Sequence, residues 1–159
     1  MNKCRCCSES LTTQLFSAKL LGKEISYFSC DKCKYVQTEE PTWLTEAYDS
    51  TINNSDTGIM SRNLSNVSLV LATLALIKKK NSLIVDTAGG YGFLVRLLRD
   101  IGVNAFWSDP YCENLVAKGL EYNNKDKAEL VTSFESFEHF VNPSIEMRKL
   151  LNIAPNILL

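Results

Sequence analysis

The chain has 159 residues, 45% of them apolar, which suffices for one core and a small appendage. A net charge of −1 and a pI of about 5.9 exclude a globally basic protein, so neither nucleic acid nor an anionic membrane is an expected partner. Met1-Asn-Lys-Cys4 is no secretory signal, and the longest apolar run (Val67 to Ile77, with Ser68 and Thr73) is short for a bilayer, so a cytoplasmic protein is expected.

The first region is set apart by its cysteines: Cys4, Cys6, Cys7, Cys30 and Cys33 cluster near the start, and only Cys112 lies beyond them. Cys4-Arg-Cys-Cys7 and Cys30-Asp-Lys-Cys33 are two C-x-x-C knuckles, each able to give two thiolates to one tetrahedral ion. Without a secretory signal, metal binding is the expected use of these thiols. Residues 1–40 therefore read as a zinc-ribbon-like segment, with structural Zn2+ on Cys4, Cys7, Cys30 and Cys33 supplying folding energy that a tiny core cannot. Cys6 stays open, either replacing a knuckle member or carrying no ion. Four thiolates leave no free coordination position, so this zinc is not expected to be catalytic. Lys23 to Ser29 and Tyr35 to Gln37 read as the ribbon's strands.

Residues 41–63 read as a connector or lid. Thr42 suits the N-cap of a short helix, and the polar run from Asn53 to Gly58 lacks periodicity. Tyr48, Asp56 and Arg62 are candidate substrate contacts here, against the plainer reading of a solvated linker. Residues 64–159 form the last region. From Asn63 to Lys80 the pattern is helical: Leu64, Val67, Leu71 and Leu74 make one face, and Leu69, Val70, Leu76 and Ile77 widen it. Asn63 or Ser65 is the expected cap, lysines close the helix, and so wide an apolar face predicts burial against a sheet.

Leu83-Ile-Val-Asp86 reads as a buried parallel strand ending in an acid, followed by the turn Thr87-Ala-Gly-Gly-Tyr-Gly92. Phe93, Leu94, Leu97, Leu98 and Ile101 then recur at helical spacing, and Gly102 ends that helix. Strand, glycine turn and helix N-terminus together offer backbone N–H groups and open space to a nucleotide-like ligand. Asn104 to Ser108 is the second strand, with Asp109-Pro110 at its end, where βαβ units hold ribose hydroxyls. This supports an adenosine-type ligand without choosing its class, an NAD-type site included. Asn114 to Tyr122 reads as a helix and Asn123 to Lys127 as a turn. Ala128 to Phe134 is the next strand, running into Glu135-Ser-Phe-Glu138-His139 and Pro143. His139, the sole histidine, is a candidate general base, against the reading of a histidine that fixes loop geometry.

Together these pieces resemble bacterial class I S-adenosylmethionine-dependent methyltransferases of the sugar and small-molecule type with an N-terminal zinc-ribbon-like segment. The double knuckle, the Gly89-Gly-Tyr-Gly92 turn after Asp86, Trp107-Ser-Asp-Pro-Tyr111 and Phe134-Glu-Ser-Phe-Glu-His139 carry the resemblance. It implies an α/β, Rossmann-like fold, part of a seven-stranded methyltransferase sheet, preceded by the small ribbon. S-adenosylmethionine would be held by Asp86, Ala88, Gly89, Gly90, Gly92, Asp109, Pro110 and Phe134. His139 and Glu135 would serve catalysis, Glu135 at the methionine end of the cofactor or at the acceptor, while Glu138 would cap the following helix and Tyr111 would stack on the ligand or simply pack. The acceptor implied is a small molecule, a sugar or a polysaccharide precursor.

Three departures accompany the resemblance. Ala88 stands where the family carries a glycine, which predicts crowding if that position needs positive φ. The span from Asp109 to Ala128 is short for a third strand and two helices. The chain also stops at Asn156 to Leu159, which reads as the opening of a fifth strand; the expectation is a truncated sheet whose open edge lets copies pair as a homo-oligomer. Two further readings stay open. One is a catalytically inactive, zinc-containing binding or assembly protein. The other is RNA methylation guided by the ribbon, against which the acidic pI weighs.

Overall fold

The computed structural model describes residues 3–9, 12–44, 57–78 and 82–159. The chain divides into two compact units, Met1–Ser50 with His139–Met147, and Thr51–Glu138 with Arg148–Leu159.

In the first unit, β1 (Thr12–Leu20), β2 (Lys23–Cys30) and β3 (Val36–Thr38) form an antiparallel sheet in that order. Leu21 and Gly22 join β1 to β2 with φ of +50° and +76°, the pair of left-handed residues that a tight two-residue hairpin turn requires. The expected strands correspond to β2 and β3. β1 was not foreseen, because Thr13 to Leu20 are all exposed and carry no alternation to read; the Leu21-Gly22 turn was its only signal. A bulge between Gln14 and Phe16 shifts the register, and Phe16 stacks on Tyr27 at 4.7 Å. Ile25 and Cys30 point inward from β2. Gln37 is buried in β3, accepting from Arg5 N (2.8 Å) and donating to Lys3 O (3.3 Å), which ties the first knuckle to the sheet.

The expected helix after Thr42 falls mostly, and Tyr48 and Asp56 fall wholly, outside the described residues. In the second unit, α1 (Ile59–Ile77) starts before the expected position. Gly58 is its N-cap, whereas Asn63 lies inside the helix and donates from Nδ2 to Ile59 O (2.8 Å). Arg62 is therefore helical. Lys78, left-handed at φ +53°, ends the helix and donates to Ala75 O.

The expectation of a largely buried helix fails. Val70 is its only fully buried side chain, with Val67 and Leu74 packed partly beside it, while Leu69 is 50% and Leu76 81% exposed. Sequence periodicity measures how wide an apolar face is, not how much of it the neighbouring elements cover. By length and composition α1 is also long and apolar enough to cross a membrane, which the shorter run Val67 to Ile77 had not suggested.

β4 (Ile84–Asp86), β5 (Ala105–Trp107), β6 (Leu130–Thr132) and β7 (Asn156–Leu158) form a parallel sheet in the order β5-β4-β6-β7. Ile84 and Leu130 bury on one face with Val70 of α1 and with Leu94, Val95 and Leu98 of α2 (Phe93–Asp100). Val85 and Val131 bury among a second group with Leu150 of α3 (Pro143–Ile153) and with Ala154. This period-two division of a fully buried strand, with helical residues packed on each side, is what a doubly wound Rossmann-like sheet demands. Gly102, at φ +82°, closes α2 as expected: its N–H reaches Arg99 O and the Val103 N–H reaches Leu98 O. Pro143 opens α3 after Asn142, whose carbonyl accepts from Ile145 N and Glu146 N.

The expected helix from Asn114 to Tyr122 is absent. Asn114 instead folds a turn, accepting from Ala117 N and donating to Ala117 O and Glu121 Oε1, and Gly119 adopts φ +83°. The chain then lies along β5: Trp107 N donates to Leu120 O and Tyr122 N to Trp107 O, both 2.8 Å, in a single parallel bridge at Glu121. Side-chain bonds to the local backbone outcompete the helix here. The short span yields one rung of pairing in place of a third strand.

Candidate functional site

The carboxyl ends of β4, β5 and β6 converge, because the strands are parallel and Asp86 is in register with both Trp107 and Thr132. Asp86 is 3% exposed and accepts from Thr132 Oγ1 at 2.7 Å. Burial pushes its carboxyl up to about 7; the Thr132 bond opposes this and the nearby Asp109 charge adds to it. Thr87 sends both its N–H and its Oγ1 to Thr132 O, each at 2.9 Å, which stitches the start of the turn to β6.

The glycine turn is held by β5 and the loop after it. Gly90 has φ +51° and Gly92 φ +94°. Asp109 Oδ2 accepts from Gly90 N and Trp107 Nε1 donates to Gly90 O, both at 2.9 Å. Tyr91 O accepts from Leu115 N (3.1 Å) and Val116 N (3.0 Å). A Cβ on Gly92 would stand 2.8 Å from the Ala117 Cβ, and one on Gly89 would stand 2.7 Å from Trp107 Nε1, so neither position admits a side chain. Ala88 is not among the residues of positive φ, so the condition attached to the expected crowding is not met.

Asp109 Oδ1 also accepts from Tyr111 N (2.8 Å) and Cys112 N (3.1 Å), so three of the carboxylate's roughly four lone-pair directions serve the backbone. Pro110 and Tyr111 are exposed. Phe134 is half-buried and packs on the core, and Glu135 beyond it is exposed with φ +51°. His139 is exposed at the end of the short 3-10 turn Phe137–His139, and it groups with the first unit. Asp86, Ala88 to Gly92 and Asp109 are thus brought together. The second unit itself holds no histidine.

A family model of the methyltransferase domain matches residues 60–158. The chain belongs to the methyltransferase domain family. No curated protein matches the chain significantly. The match runs from the first turns of α1 to the end of β7, so it covers the converging strand ends and the glycine turn. A methyltransferase domain implies S-adenosylmethionine, and the residues present fit it. α2 begins at Gly92 without a side-chain cap, Gly89 and Gly92 let the turn pack directly on Trp107 and Ala117, and Asp109 retains an acceptor direction on Oδ2.

Sequence reasoning missed Trp107, Thr132 and Asn114, whose side chains hold this methyltransferase site together. A hydroxyl in the otherwise apolar Leu130-Val-Thr132 was the available signal for Thr132. Trp107 offered none beyond its place two residues before Asp109.

In the first unit, the sulfurs of Cys4, Cys7, Cys30 and Cys33 all lie within 4.8 Å of one another, with Cys4–Cys33 and Cys7–Cys30 at 3.6 Å. Zn–S bonds of about 2.3 Å place tetrahedral sulfurs about 3.8 Å apart, so the set is compatible with zinc. The two knuckles share one geometry. Cys7 N donates to Cys4 Sγ and Cys33 N to Cys30 Sγ, both at 3.5 Å, and Ser8 and Lys34 follow with φ of +63° and +62°. The Cys33 N–H lowers the Cys30 thiol to about 6, whereas burial raises Cys4 to about 11. Cys6 is exposed and outside the cluster, which settles its geometry.

Proposed function

We propose that this methyltransferase domain binds S-adenosylmethionine and transfers its methyl group to a small-molecule acceptor of the sugar or polysaccharide-precursor class, with the ribbon carrying structural Zn2+. The observation that carries the cofactor reading is the Gly89–Gly92 turn at the end of the central strand, with Asp109 bonded to it. Bound there, S-adenosylmethionine supplies an electrophilic methyl on a sulfonium.

The backbone of Ala88 to Gly92 receives the methionine end, and Asp109 accepts from a ribose hydroxyl through Oδ2. Asp86 stands at the same edge as a hydrogen-bond partner for a cationic or hydroxylated ligand, and above its raised value of about 7 its carboxylate also attracts a cation. Pro110 and Phe134 border the cofactor. The protein's share of the rate is alignment of acceptor and methyl. Glu135, in the loop after β6, contacts the methionine end or the acceptor. The acidic pI supports a small-molecule acceptor over RNA.

Titration of the purified, zinc-quantified chain with S-adenosylhomocysteine by calorimetry tests this reading. Micromolar binding and close to one zinc per chain are expected. A folded, zinc-loaded chain that ignores the ligand overturns the cofactor assignment. A second reading, a zinc-containing binding or assembly protein without activity, is favoured by the three backbone donors already on Asp109. The same titration separates the two.

A further inference from the structure

We propose that Trp107 is a positioning residue that presets the glycine turn for the cofactor by holding the Gly90 C=O while Asp109 holds its N–H. This rests on the reading of that turn as the cofactor site. Glycine is the residue with the most backbone freedom to lose, so a turn built on Gly89-Gly90 collapses into many conformers unless something outside it fixes φ and ψ. Here Asp109 Oδ2 takes the Gly90 N–H and Trp107 Nε1 donates to the Gly90 C=O, both at 2.9 Å. Those groups belong to the peptide planes before and after Gly90, so the two bonds together define its φ of +51°. Ser108, between the two side chains, takes the Gly89 N–H on its carbonyl at 3.4 Å.

The indole is itself well anchored. Trp107 pairs with Asp86 across β4, and its own N–H and C=O are bonded to Leu120 and Tyr122 at 2.8 Å. The bareness of Gly89 follows from the same contact, because a Cβ there would meet the indole ring. A strand residue thus carries the donor, and strand-borne groups hold a geometry better than loop-borne ones. Ordering the turn in advance removes a cost that the ligand would otherwise bear on binding.

Trp107→Phe keeps an aromatic ring and removes the Nε1 donor together with the pyrrole edge that faces Gly89. Amide hydrogen exchange across residues 88–92 of the full, unliganded chain is the first readout. Exchange is expected to rise at least about five-fold in the variant, on the scale of one lost net hydrogen bond, with β4 and α2 protection unchanged. Gly89→Ala, which displaces the indole while leaving residue 107 intact, is expected to give the same local signature if Trp107→Phe folds poorly. S-adenosylhomocysteine affinity is the second readout, expected to weaken about five-fold in Trp107→Phe. Unchanged exchange across 88–92, or affinity equal to the unmodified chain, overturns the proposal. If the variant shows the exchange contrast but the unmodified chain binds no S-adenosylhomocysteine, the clamp stands and the cofactor reading is overturned instead.

Discussion

Among the described residues, the second unit buries Val70, Ile84, Leu94, Val95, Leu98, Ala105 and Leu130 in one continuous group, whereas the first unit buries Cys4, Cys30, Ile25, Trp43 and Gln37. The second unit is ordered by apolar area between a sheet and its helices. The first has two large apolar side chains for three strands, and its long hairpin exposes Leu15, Phe16, Leu20 and Leu21. Nothing of that size closes a core, so on the structural-zinc reading the four-sulfur cluster supplies what packing does not. The two regions should therefore fail under different insults.

The largest effect is expected from the metal. Chelation, or Cys30→Ser, should abolish exchange protection over residues 23–38 while β4 to β7 stay protected, since small zinc modules draw on the order of 10 kcal/mol from the ion. Cys6→Ser should leave the zinc content at its original value. A ribbon that stays protected after chelation would erase the contrast. Leu98→Ala works the other way, because Leu98 is fully buried. A loss of about 2–5 kcal/mol in denaturant unfolding is expected, with zinc content intact.

The third test uses pH. Asp86 sits at about 7 against an ordinary 3.8, so between those values the folded chain keeps a proton that the unfolded chain releases. Its contribution to stability is present at low pH, falls as pH rises through roughly 4 to 7, and levels off above that window. The full span is at most on the order of 4 kcal/mol, and Asp86→Asn should flatten the profile in urea melts. Gly92→Ala comes next, combining φ +94° with a 2.8 Å approach to Ala117. A cost of about 1–3 kcal/mol is expected, together with weakened S-adenosylhomocysteine binding. Smallest is Leu76→Ala on the open side of α1, where 81% exposure predicts a change within about 0.5 kcal/mol. A large loss there would mean that something covers that face.

The sequence by itself determined the parts whose physics is local. Two thiols three residues apart define a knuckle, Ile84 and Val85 alternate across a buried strand, and glycines at Gly90 and Gly92 permit the left-handed turn that opens α2. Asp109 was legible too, because the length of one strand–helix–strand unit sets its distance from that turn. Tertiary structure decided everything that depended on which distant groups compete for the same partner. It left one side of α1 bare, since α2 and the sheet take up only the Val70 face. It replaced a plausible helix after Asn114 with a turn, because that side chain found the Ala117 backbone and Glu121. It also set Trp107 and Thr132 against the glycine turn and Asp86, contacts between residues 17 and 46 positions apart that no periodicity encodes.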